Sequence, residues 1–122
     1  MQYSILNAKN SLPSTEELVE LYDAVGWSAY TRTPERLVPM LTGSRYLYVA
    51  RENTAEGTER LIGLVRAVGD GQTIAYIQDL LVHPQAQHHG IGSALLGKII
   101  ADFDREGIRQ RFITTDIKDS TS

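Results

Sequence analysis

At 122 residues, with 42% hydrophobic and 22% charged residues, the chain has the size and composition of one compact domain, 1–122, with a genuine core. A net charge of −3 with scattered Lys and Arg leaves no basic footprint for nucleic acid, and no apolar run is long enough to span a bilayer, so neither nucleic acid nor membrane is an expected partner. The absence of cysteine excludes disulfides, thiolate metal sites and a cysteine-acyl intermediate, and the N-terminal Met1-Gln-Tyr-Ser-Ile-Leu-Asn lacks both the basic region and the apolar core of a signal peptide, which makes the cytoplasm the expected location.

Tyr3 to Leu6 reads as a short strand. Ser14-Thr-Glu-Glu17 is a capping box, with Leu18, Leu21, Tyr22 and Val25 at helical spacing behind it and Gly26 as the stop. Thr33-Pro34-Glu35 starts a second helix, carrying Leu37, Val38 and Leu41 and ending at Gly43. Three strands follow as a meander, Arg45 to Arg51, Leu61 to Val68 and Thr73 to Val82, separated by the polar loop from Glu52 to Glu59 and the turn Gly69-Asp-Gly71. Ile91 to Arg105 is a helix with Ile91, Leu95, Ile99 and Phe103 on one face, and Gly107 stops it. Phe112 to Asp116 is the next strand, and the intervening helix requires it to run parallel to Thr73 to Val82. The expected fold class is α+β, α/β-like in its layering, with a mixed, mostly antiparallel sheet flanked by helices.

The segment Gln87-His-His-Gly-Ile-Gly92-Ser93 connects the last meander strand to that helix. Backbone N–H groups at a helix start lack internal acceptors and lie at the positive end of the helix dipole, so they suit an anion such as a cofactor pyrophosphate. Gly90 and Gly92 remove Cβ atoms where backbone and phosphate would meet. A bare G-x-G also occurs in ordinary strand-turn-helix connections, and a dinucleotide-binding fingerprint asks for three glycines and an acidic residue about 20 positions later.

The run Gln78-Asp-Leu-Leu-Val-His-Pro-Gln-Ala-Gln-His-His-Gly-Ile-Gly-Ser-Ala-Leu-Leu96 resembles the acetyl-CoA-binding motif of the GNAT superfamily of N-acetyltransferases, whose Gln/Arg-x-x-Gly-x-Gly/Ala pattern is met at Gln87, Gly90 and Gly92. That resemblance implies transfer of an acetyl group from acetyl-CoA to a primary amine of a small molecule or protein, and with no cysteine to carry the acyl group the expected route is direct transfer within a ternary complex. It also implies that Leu80, Leu81 and Val82 present main-chain groups to the pantetheine arm through a local splay or bulge. Gln87, His88, His89, Gly90, Ile91, Gly92 and Ser93 would then cradle the pyrophosphate.

Strict alternation would put Tyr76, Gln78, Leu80 and Val82 on one face of the strand and Ile77, Asp79 and Leu81 on the other. Two polar residues in this apolar strand are unusual, and Asp79 matches an Asp in the similar spermidine and spermine acetyltransferases, whose preceding Glu is Gln78 here. Gln78 and Asp79 are therefore the candidate catalytic residues, to order the amine or a water, with Asp79 alternatively a buried acceptor for backbone N–H groups or an arginine. Trp27 and Tyr30 are candidate acceptor contacts, or else plugs between helix and sheet. His83, His88 and His89 invite a metal reading, but with no cysteine and no well-spaced carboxylate in the loop no metal is expected.

Many members of this superfamily continue with a further helix, which carries a Tyr acid, and a closing pair of strands. This sequence stops after Asp116-Ile-Lys-Asp-Ser-Thr-Ser122, and Tyr22, Tyr30, Tyr46, Tyr48 and Tyr76 do not match that Tyr position. The expectation is that the remaining layer comes from sequence outside these residues or from another subunit, with a homodimer the favoured form. A catalytically weak acetyl-CoA-binding module, acting as sensor or structural subunit, is the alternative function.

Overall fold

The computed structural model describes residues 1–113. Ser14 caps helix α1 (Thr15–Ala24) as the sequence predicts: its hydroxyl accepts from Glu17 N–H at 3.1 Å, and the Glu17 carboxylate accepts from Ser14 N–H at 3.0 Å. Leu18, Leu21 and Tyr22 form its buried face. Between Gly26 and Thr33 the chain forms a one-turn helix α2 (Ser28–Thr31). A 3-10 turn at Pro34–Arg36 then leads into α3 (Leu37–Thr42), where Leu37 and Leu41 are buried.

The five strands lie in sequence order: β1 (Tyr3–Asn7), β2 (Tyr46–Asn53), β3 (Glu59–Gly69), β4 (Ile74–Val82) and β5 (Gln110–Ile113). All neighbours pair antiparallel except β4 and β5, which run parallel because helix α4 (Ile91–Glu106) carries the chain back across the sheet. The expected last strand begins two residues early, at Gln110, and its Thr114 to Asp116 portion lies outside the described residues.

Each face of the sheet has its own apolar layer. Ile91, Leu95, Ile99 and Phe103 of α4 pack on Ile62, Val65, Ala67, Ala75, Ile77, Leu80 and Val82. On the other face Leu18, Leu21, Tyr22, Leu37 and Leu41 pack on Leu47, Val49, Leu61, Leu64 and Leu81. The start of α4 comes down directly onto β3: a Cβ on Gly63 would stand 3.1 Å from Leu95 Cδ1 and 3.2 Å from Ile91 Cγ2. Glycine at this position allows the helix to approach the strand so closely.

Strict alternation along β4 fails. The β3–β4 register passes from Arg66↔Asp79 to Ala67↔Ile77, leaving Gln78 as an extra residue in a β-bulge. Ile77 therefore joins Leu80 and Val82 on the α4 face, while Asp79 and Leu81 face α1. A bulge shifts the inside–outside phase by one residue, which periodicity alone does not reveal.

Candidate active site

The loop after β4 is held by His83. Its Nδ1 accepts from Gln85 N–H at 3.1 Å, and its Nε2 stands 3.2 Å from the Arg60 guanidinium, which also lies 3.6 Å from Glu20. Burial and then the Arg60 charge hold the imidazole below its ordinary pKa. His83 thus anchors the loop, whereas His88 and His89 are exposed. Groups of three or more residues able to hold a metal ion are absent among the described residues.

Beyond Gln87 the backbone becomes unusual. His88 has φ 68° and Gly90 φ 76°, both left-handed, and for the non-glycine His88 this costs roughly 1 kcal/mol. No side chain caps α4; its first hydrogen bond runs from Ala94 N–H to the Gly90 carbonyl at 3.0 Å. The amides of Ile91, Gly92 and Ser93 have no acceptor among the described residues. A Cβ on Gly90 would meet nothing within 4 Å, so the turn is open on that side. Unused donors at the positive end of a 16-residue helix, beside an open glycine, suit a diphosphate. Gln87 is half-buried and Ser93 exposed, and neither side chain bonds to a described residue.

Leu80, Leu81 and Val82 are buried and can offer only main chain. They pair with Val65, Leu64 and Gly63 of β3. On their other edge the described pairing with β5 covers only Ile74 to Ile77. A β-bulge lies just upstream, at Gln78, on the edge paired with β3.

The second part of the site is a cavity of about 360 Å³ bounded by residues 26–30, Arg32, Gln78 and Asp79. The bulge lets the consecutive Gln78 and Asp79 share its wall. Trp27 and Tyr30 stand opposite, with ring centroids 5.9 Å apart, and Tyr22 backs them at 5.8 and 4.9 Å. The structure therefore brings the four candidate residues Trp27, Tyr30, Gln78 and Asp79 to one cavity.

Asp79 is only 1% exposed and is fully engaged. Its Oδ2 accepts from Arg66 Nε at 2.5 Å and from the Tyr22 hydroxyl at 2.8 Å, and its Oδ1 accepts from the Tyr30 hydroxyl at 3.0 Å. Arg66 also reaches Ser44 Oγ at 3.3 Å. Burial and then the Asp79 charge raise the Tyr30 phenol, and the Tyr22 phenol more strongly, so both remain protonated donors at neutral pH. Arg66, Tyr22 and Ser44 escaped the sequence reading. A charge between Val65 and Ala67 in an apolar strand, 13 residues before Asp79, was the available signal for Arg66.

The sequence profile of the Acetyltransferase (GNAT) family matches residues 12–121. The uncharacterized N-acetyltransferase ycf52-like of Prochlorococcus marinus is 30% identical over 94% of this chain and 62% of its own length. Serotonin N-acetyltransferase 2, chloroplastic, of Oryza sativa subsp. japonica is 30% identical over 75% of the chain and 44% of its own length. The chain thus spans about half the length of these curated relatives. A solved GNAT-family acetyltransferase from Streptococcus pneumoniae TIGR4 superposes with a TM-score of 0.72 at 32% identity, over 94% of this chain and 76% of that one. With a mixed sheet, an anion-ready turn into α4 and a profile match over nearly its whole length, the chain belongs to the GNAT acetyltransferase family.

Proposed function

We propose that the chain transfers an acetyl group from acetyl-CoA to a primary amine of a small molecule or protein, directly within a ternary complex. The observation that carries this reading is the placement of two recognition elements along one strand: β4 contributes Gln78 and Asp79 to the cavity wall and then leads through Leu80–Val82 to the turn before α4. When bound, acetyl-CoA supplies the activated acyl group.

In this reading the amides of Ile91, Gly92 and Ser93, with the Gln87 to Gly90 turn, hold the pyrophosphate. The main chain of Leu80 to Val82 aligns the pantetheine arm. Trp27 and Tyr30 pack against the body of the acceptor, an arrangement consistent with a relative named for serotonin. Gln78 orients the amine or a water. Asp79, with three donors on its two oxygens, serves as a positioning residue that fixes Tyr30 and the bulge; abstraction of a proton by Asp79 is the alternative.

The engagement of Asp79 also favours a second reading, a catalytically weak acetyl-CoA-binding module. A homodimer and a cytoplasmic location complete the proposal; some relatives are named chloroplastic. No helix among the described residues is long and apolar enough to cross a membrane.

Acetyl-CoA turnover with a panel of primary amines tests the leading reading. Saturable, amine-dependent release of CoA is expected; CoA binding with no turnover on any amine favours the binding module. Asp79→Asn separates the two roles of the carboxylate. A positioning role predicts a loss that is the same across pH per folded molecule, whereas a base predicts a loss that shrinks at high pH, where the amine is already neutral.

A further inference from the structure

The charges around the cavity do not cancel. Asp79 in its wall is neutralised by Arg66 at 2.5 Å. The other ionised residue on its lining is Arg32, which is exposed and neither hydrogen-bonded nor ion-paired through its side chain to any described residue. Arg45, Arg51, Arg60, Arg66, Arg105 and Arg111 each reach a carboxylate. Arg36 and Arg109 reach none among the described residues, but neither lines the cavity.

Local structure fixes where Arg32 sits. It is the C-cap of α2, and its amide donates to the Ser28 carbonyl at 3.1 Å. The same turn carries Tyr30, whose hydroxyl is tied to Asp79. The cation thus lines the same cavity as the paired rings of Trp27 and Tyr30 and the β4 residues Gln78 and Asp79. On a chain of net charge −3, a guanidinium there with no partner among the described residues does not simply follow from a generally basic surface.

We propose that Arg32 selects amine acceptors bearing a carboxylate on an aromatic or apolar body, with the acid held at Arg32, the body against Trp27 and Tyr30, and the amine directed to Gln78. The direction of the amine rests on the acetyl-transfer reading; recognition of the acid does not. A guanidinium binds a carboxylate through paired N–H donors, and the rings supply apolar contact at little entropic cost. The same cation disfavours polyamines, because Asp79 has no charge left to offset a second ammonium.

Trp27 is the chain's single tryptophan, so its fluorescence reports occupancy of this cavity without turnover. The probes are 4-(aminomethyl)benzoate, benzylamine, which lacks only the acid, and spermidine. For the unmodified chain, 4-(aminomethyl)benzoate is expected to bind about tenfold more tightly than benzylamine. Spermidine should bind no better than benzylamine. Arg32→Gln should reduce the preference to less than about twofold, and Arg32→Lys should restore part of it.

Equal affinities for the two aromatic amines, a preference that survives in Arg32→Gln, spermidine binding as tight as that of the acid, or no saturable change with the acid would each overturn the proposal. A chain that discriminates the acid but acetylates no amine supports the role of Arg32 and removes the acetyl-transfer reading. One that acetylates both aromatic amines with equal affinity does the reverse.

Discussion

The turn before α4 and the cavity beside β4 are neighbours along the chain but are built by opposite means. The turn is one contiguous segment that presents main-chain amides from Ile91 to Ser93, and its side chains, Gln87, His88 and Ser93, make no hydrogen bond to the described residues. The cavity is assembled from α2, its flanks and β4, with support from α1 and β3, and depends on side chains that satisfy one another. A site built from backbone tolerates changes of side chain but not of shape or charge at its glycines. A site built on a buried ion pair transmits the loss of one member to all the others.

The largest expected effect comes from breaking the side-chain cluster. Arg66→Met leaves Asp79 buried without its cation and should cost about 3 kcal/mol in urea unfolding. It should also loosen Tyr30 and change Trp27 fluorescence, while CoA affinity of the folded fraction stays within a few-fold. A variant of unchanged stability would remove the contrast drawn between the two regions.

Gly90→Glu makes the converse test. Space around Gly90 is open, so the side chain fits, but it places a negative charge where an anion is proposed and forces a non-glycine residue into φ 76°. CoA affinity measured by calorimetry should fall at least about a hundredfold, against a stability loss of roughly 1–2 kcal/mol. His89→Ala should change CoA affinity far less. Equal losses in the two variants would mean that side chains, not amides, hold the anion.

A smaller effect sharpens the link between the regions, since His83 ends the strand and begins the loop. Its pKa is lowered in the folded state, so between that value and the ordinary value of about 6.5 the unfolded chain binds more protons. Stability should therefore be complete above about pH 6.5 and fall as the pH drops through the folded pKa. His83→Gln should flatten that fall in thermal melts taken from pH 7.5 to 5. An unchanged slope would show that His83 does not titrate on unfolding.

Much of this protein was legible along the chain because the relevant physics is local. The Ser14 capping box, the apolar face of α4, the parallel return imposed by a helical crossover and the glycine turn each depend on residues a few positions apart. Trp27, Tyr30, Gln78 and Asp79 were singled out as candidates through resemblance and the oddity of two polar residues in an apolar strand, and they line one cavity. What they do to one another was decided only by tertiary structure. The Gln78 bulge is set by pairing with β3, and it turns Ile77 to the α4 layer while Asp79 meets Arg66, 13 residues away, and Tyr22, 57 residues away. Sequence determines where donors and apolar faces occur along the backbone; which charge is neutralised, and which, like Arg32, finds no partner among the described residues, depends on distances that exist only after the layers have packed.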